Sequence, residues 1–220
     1  MRVIRPGLLF PSLAALWLIA GIAALASGSA DLSANDVWQS LTGSAPDNIR
    51  RLVVDLRLPR ALTAFGVGGL LAVSGVLMQV LLRNPLAEPY ILGSSGGAAV
   101  AALLAMIFGL GAIVVDLAAF GGAMAATVLV FSIAQGSGSW TPARLLLTGV
   151  VLAAGFSAAT TLLLALSPDQ NLRGMLFWLM GDLNYAYAPA QSLWLLGLIT
   201  VLGMLSARHL NVLARGDLQA

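Results

Sequence analysis

The chain has 220 residues, 59% hydrophobic and 9% charged, where a soluble domain carries about a quarter charged residues; its mean hydropathy is +0.93. Its formal charge of +2 rests on eleven arginines scattered among nine acids with no lysine, so the pI of about 9.7 marks no nucleic-acid surface. No cysteine means no disulfide, thiolate metal site or cysteine nucleophile, and no lysine means no standard P-loop, which sets its lysine on the nucleotide phosphates. The class this leaves is all-α and polytopic in the membrane, and any ATP-driven work it serves needs a separate subunit.

Residues 1–30 carry signal-peptide features, with Arg2 and Arg5 ahead of an apolar run and Ala24, Ala26 and Ala30 near its end. The run over 8–26 is longer than the roughly 7–15 residues of a signal core, and reads as an uncleaved first crossing. Residues 27–60 are the one long polar stretch. Within it Ser33–Leu41 reads as a short surface helix with Val37 and Leu41 on one edge, and most of the remainder as solvated loop.

Residues 61–82 hold no charge between Arg60 and Arg83, enough for one crossing at 1.5 Å per residue. Arg83, Asn84, Pro85, Glu88 and Pro89 form a charged break, and a glycine-rich segment restarts the chain at Gly93. From Gly96 to Ala134 the only charge is Asp116. One helix of that length would reach about 58 Å, nearly twice the hydrocarbon core. The segment therefore folds back at Gly109–Gly111, giving crossings over 93–109 and 113–134 and leaving Asp116 at the water interface.

Residues 135–141 form a polar loop, and Pro142 suits the first turn of the next helix, over 144–166. Gly149, Ala153, Ser157 and Thr161 recur every fourth position on one face of it. Such a stripe serves either close helix contact or the wall of a solute pathway. Leu172, Met175, Leu176 and Leu179 then fall at i, i+3, i+4 and i+7 between Asp169 and Asp182, the pattern of a helix lying at the interface. Residues 190–206 are the sixth crossing, before a polar tail. Arg2 and Arg5 ahead of the first span place the N-terminus in the cytoplasm.

Bond chemistry finds little support. Gly93-Ser94-Ser95-Gly96-Gly97 fits the G-x-S-x-G nucleophile elbow, but that motif needs a strand before it and a base in reach. The one histidine, His209, lies at the far end of the chain and reads as a surface residue. No metal-ligand spacing appears. The expectation is a protein with no enzymatic activity and no cofactor.

The segment RLPRALTAFGVGGLLAVSGVLMQVLLRNPLAEPYILGSSGGA, from Arg57 to Ala98, resembles the FecCD-type permease family, the membrane subunits of ABC importers for iron-siderophores, haem and cobalamin. The matching positions are Arg57–Arg60, Gly69, Leu70, Ser74, Gly75, Gln79, Arg83–Ala87, Pro89, Leu92, Gly93, Gly97 and Ala98. Ala143–Gly155 and Phe177–Leu183 agree as well. The resemblance implies a type II importer permease in the bacterial inner membrane. Two permease copies would pair, a cytoplasmic ABC ATPase dimer would dock beneath, and a periplasmic or extracellular solute-binding protein would dock outside. It assigns binding-protein docking to Arg57 and Arg60, gating to Thr141 and Pro142, pathway lining to Gly149, Ala153 and Ser157, and ATPase contact to Leu213, Gly216 and Asp217.

Members of that family have roughly ten membrane helices, and this chain resembles the first six and the opening of the loop that follows. Arg215 stands where a small or apolar residue is usual. The expectation from this shortfall is that the 220 residues alone neither couple to an ATPase nor transport. The rival reading is a truncated remnant or membrane scaffold without a transport role.

Overall fold

The computed structural model describes residues 6–28, 30–136, 141–183, 186 and 189–215. Among these the regular structure is entirely helical. In order come α1 (Pro6–Ala26), α2 (Ala34–Thr42), α3 (Asp47–Arg50), a π turn (Arg51–Arg57), α4 (Leu58–Leu82) and a 3-10 turn (Pro89–Leu92). They are followed by α5 (Ser94–Ile107), α6 (Ala112–Gln135), α7 (Pro142–Leu166), α8 (Asp169–Met180), α9 (Ala190–Leu205) and α10 (Ala207–Arg215).

Four helical stretches among the described residues are long and apolar enough to cross a membrane: 7–26, 47–82, 112–135 and 142–166. A fifth is reached if α9 and α10, bent by 64° at Ser206, are taken as one broken span. Six crossings were expected. The difference lies in the 93–109 segment, whose helix α5 has 14 residues and rises about 21 Å, short of the roughly 30 Å core. It stops because Gly109 turns left-handed at φ 68°, a conformation that glycine adopts without steric cost.

The stretch expected to be mostly loop is corrected at residues 47–57, which are helical and run without a break into α4. A proline normally disfavours helix in the residue before it, yet Pro59 sits inside this run. The π turn just ahead accommodates it: Leu58 N–H bonds to Val53 O rather than to the usual fourth residue back, and widening of this kind relieves the ring's clash with the preceding turn.

The chain divides into two compact units, residues 1–70 with 183–199, and 71–182 with 200–220. In the first, Leu25, Val37 and Val53 are buried together and packed by Ala26, Leu32, Ile49, Leu58 and Ala61. Trp17 of α1 tilts onto Phe65 of α4 with ring centroids 5.2 Å apart. On another face of α4, a Cβ at Gly66 would lie 2.5 Å from Ser192 Oγ, and one at Gly69 would lie 2.7 Å from Leu196 Cδ2. Glycine is what lets α9 approach there.

In the second unit α5 and α6 form a close antiparallel pair. A Cβ on Gly97 would fall 2.5 Å from both Ala126 Cβ and Gly122 O, and a Cβ on Gly122 would collide with the Gly97 carbonyl. Lipid is as apolar as leucine, so membrane helices associate through van der Waals fit, and small residues allow the backbones to touch. A second cluster gathers Met78, Leu82, Ala87, Leu92, Val130, Ala134 and Leu145, drawing the end of α4, the following turn, the end of α6 and the start of α7 together. Large apolar side chains are exposed along α1 at Leu8, Phe10, Leu13 and Leu16, as suits a helix long and apolar enough to cross a membrane.

The α5–α6 contact gives a test. Gly122→Leu pushes a side chain into the Gly97 backbone, which cannot swing aside. Overpacking of this kind costs roughly 1–3 kcal/mol or more, enough to lower the melting temperature in detergent by about 5 °C. Gly121→Leu, where nothing lies within 4 Å of the new Cβ, is expected to melt within about 1 °C of the parent.

Candidate functional site

The residues singled out in the sequence fall into two groups, one in each unit. The first group surrounds the π turn. Its wide register carries Val53, Arg57 and Ala61 round to the face that packs on the end of α1. Arg57 is buried, 8% exposed. Its Nη1 donates to the carbonyls of Leu25 and Ala26, both at 2.7 Å, and its Nη2 donates to Ala30 O at 2.6 Å. The last carbonyls of a helix have no partner within it, and a cation there also meets the negative end of the helix dipole. Arg57 therefore faces inward and does not present its guanidinium to solvent. Arg60, one turn further on, is half-buried and engaged, while Arg50, Arg51 and Asp55 are exposed on the same stretch.

Helix α2 leans on this region through buried Val37. It begins with a reciprocal cap: Asp36 N–H donates to Ser33 Oγ at 3.2 Å, while Ser33 N–H and Oγ donate to Asp36 Oδ2 at 2.9 and 2.7 Å. That hydroxyl bond first, and the backbone bond second, hold the Asp36 carboxyl below its ordinary range.

The second group lies at the end of the second unit where α4, α6 and α7 converge. Asn84 builds the turn after α4, accepting from Leu86 N–H on Oδ1 and from Ala87 N–H on its carbonyl, each at 3.0 Å. This turns Ala87 into the core beside Leu82 and Leu145. Arg83, at φ 49°, sends Nε to the carbonyl of Leu213 in α10 at 3.1 Å. Thr141 caps α7, accepting from Arg144 N–H at 3.3 Å, with Pro142 at the first helical position; both are exposed.

Along α7, Gly149 is buried and Ala153 half-buried, and Ser157 is exposed. A Cβ on Gly93 would lie 3.7 Å from Ala153 N and 3.5 Å from the Phe156 ring, and one on Gly96 only 2.7 Å from Phe156 Cβ. The upper part of the small-residue stripe thus packs on the Gly93–Gly97 turn. That turn follows a 3-10 turn, with Gly93 left-handed at φ 65°, so the strand-turn-helix elbow of a serine hydrolase is not formed.

Asp116 is exposed in the second turn of α6 and His209 is exposed on α10. Leu213 is brought to Arg83, whereas Gly216 and Asp217 lie outside the described residues. Among the described residues no group of three or more His, Asp or Glu gathers as a metal site would require. What the arrangement offers is helix ends fixed by polar side chains around apolar spans.

The sequence model of the FecCD transport family matches residues 16–220. The chain belongs to that family. Among its FecCD relatives is the Hemin transport system permease protein HmuU of Yersinia pestis, 37% identical over 227 aligned positions that take in 99% of this chain and 66% of the relative. The Vitamin B12 import system permease protein BtuC of Serratia proteamaculans is 40% identical, covering 86% of this chain and 57% of the relative. The Ferric enterobactin transport system permease protein FepD of Escherichia coli is 37% identical, covering 94% and 63%. A solved structure described as an inward-facing, metal-chelate type ABC transporter superposes with a TM-score of 0.73 at 29% identity, over 95% of this chain and 63% of that one. The chain thus spans between 57% and 66% of the length of these relatives.

The fold class read from the sequence, an all-α membrane protein of the type II importer permease kind, is the one found. Arg57 in its carbonyl pocket was missed, although Val53, Arg57 and Ala61 at i, i+4 and i+8 share one helical face whose flanking members are apolar.

The Ser33–Asp36 cap predicts an acid response. Since the folded carboxyl titrates lower than the unfolded one, the stabilisation is present above the unfolded value near 3.9 and is lost as pH falls through the lower folded value. Amide exchange of residues 34–38, corrected for intrinsic rates, is expected to quicken in that window. Ser33→Ala is expected to produce the faster exchange already at neutral pH.

Proposed function

We propose that the chain serves as a membrane-spanning permease subunit of an ABC importer in the bacterial inner membrane, moving an iron-siderophore, haem or cobalamin-type solute. The observation that carries this reading is the family match over residues 16–220, joined to relatives whose names describe haemin, vitamin B12 and ferric enterobactin permeases. The absence of any lysine fits a subunit that draws its energy from a separate ATPase dimer.

In this reading the N-terminus is cytoplasmic, and α1 delivers residues 27–60 to the outer face, where a solute-binding protein docks against the segment holding Arg57 and Arg60. Charged pairs across such a surface fix orientation and speed encounter. Of the face of Gly149, Ala153 and Ser157 assigned to the pathway, the exposed Ser157 is the part open to a second permease copy, since Gly149 is buried and Ala153 packs on the Gly93–Gly97 turn. Thr141 and Pro142 hold the turn that gates the pathway from the cytoplasm, and contact with the ATPase is assigned to Leu213, Gly216 and Asp217. Alternating access then comes from the two copies rocking as ATP closes the ATPase dimer.

Deleting the gene in its host and following uptake of labelled ferric siderophore, haem and cobalamin tests the reading. Loss of one uptake, restored by the gene, supports it; three unchanged uptakes refute it. Arg60→Glu is expected to weaken binding-protein docking by about tenfold at low salt and less at high salt, read by surface plasmon resonance on the reconstituted permease. Unchanged affinity at all salt concentrations would remove Arg60 from the docking face.

A further inference from the structure

We infer that Arg57 is a positioning residue, whose guanidinium clamps the C-terminal carbonyls of α1 and fixes that end of the helix against α2 and the π turn. Three observations carry this. The side chain is buried at 8% exposure and donates to three carbonyls, those of Leu25, Ala26 and Ala30, at 2.6–2.7 Å. Two of these carbonyls belong to the last turn of α1 and one to the segment beyond it, so a single planar group bridges the helix end and the chain that leaves it. The fork of donors in a guanidinium suits this and a lysine's point charge does not.

The third observation is Gly28, which lies between the bridged carbonyls at φ 156°, with the position of a Cβ only 2.6 Å from Arg57 Nη2 and 3.0 Å from Cζ. The backbone leaves room at that point for the guanidinium and for nothing else. The neighbouring apolar residues, Leu25, Val37 and Val53, close over the same spot. Where this meets the importer reading, and resting on it there, Arg57 shapes the outer docking surface from behind, and the charge offered to a partner comes from residues beside it.

The test needs no partner protein and no solute, so its failure is distinct from a failure of the importer reading. The chain has no cysteine, so Leu25→Cys, buried beside the clamp, gives a single reporter for a water-soluble maleimide in liposomes. Labelling is expected to be slow in the parent and on the order of tenfold faster with Arg57→Gln, since hydrogen bonds from a charged donor are what hold the helix end closed. Arg57→Lys keeps the charge and loses the planar fork of donors, and is expected to raise labelling in the same direction. Unchanged labelling with either substitution overturns the inference. If Arg57→Gln fails to insert, Arg57→Lys decides alone: a rise supports the clamp and no change removes it.

Discussion

Hydrocarbon offers no hydrogen bonds, so each backbone N–H and C=O of a spanning segment must find a partner inside the protein. Helices meet this along their length and fail at their ends, where four donors and four acceptors remain open. In this chain the informative polar residues sit at those ends. Thr141 and the Ser33–Asp36 pair close N-termini. Gly43 turns left-handed to end α2, and Gly93 does so between the 3-10 turn and α5. Two arginines reach across from other elements to close carbonyl ends, Arg57 on α1 and Arg83 on α10. Conserving charge for these positions leaves the spans between them free to be almost wholly apolar.

With polar groups held at the ends, what remains to arrange the spans is shape. Gly66 and Gly69 admit α9 to α4 in the first unit, and Gly97 and Gly122 bring α5 and α6 into backbone contact in the second. Phe156 fills the hollow left by Gly93 and Gly96, so a glycine pattern that mimics a catalytic elbow is a packing surface. Gly121, one residue from Gly122, faces open space. Small residues therefore matter by the face they occupy, since positions i and i+1 point about 100° apart on a helix.

Much of this was legible in the sequence because hydrophobic length is a direct physical signal. The apolar runs over 8–26, 113–134 and 144–166 lie within the helices α1, α6 and α7. The i, i+3, i+4, i+7 pattern at Leu172–Leu179 lies in α8, and Ser33–Leu41 is the cap and most of α2. The helical stretch over 47–57 was not legible. Ile49, Leu52, Val53 and Leu56 do carry the helical period, but the charges between them read as solvated loop. A π turn has no sequence signature of its own, and it is this turn that lets the helix run through the proline. Arg57 was hidden with it: with the stretch read as loop, the placement of Val53, Arg57 and Ala61 at i, i+4 and i+8 on one helical face carried no weight.

Among the candidate site residues, legibility followed the same division. Pro142 announced a helix start, and the structure places it at one behind the cap Thr141, because such signals are local chemistry. Gly149, Ala153 and Ser157 share a stripe but not an environment, running from buried to exposed along α7, because burial depends on where the 3-10 turn and α5 end, which the stripe does not encode. Arg83 and Leu213 lie 130 residues apart, a separation across which no periodicity reports. Their contact joins the turn after α4 to the helix that leaves the last span at a bend of 64°. The device is the one Arg57 applies to the end of α1: a guanidinium from a distant element closes a carbonyl that the helix itself leaves open.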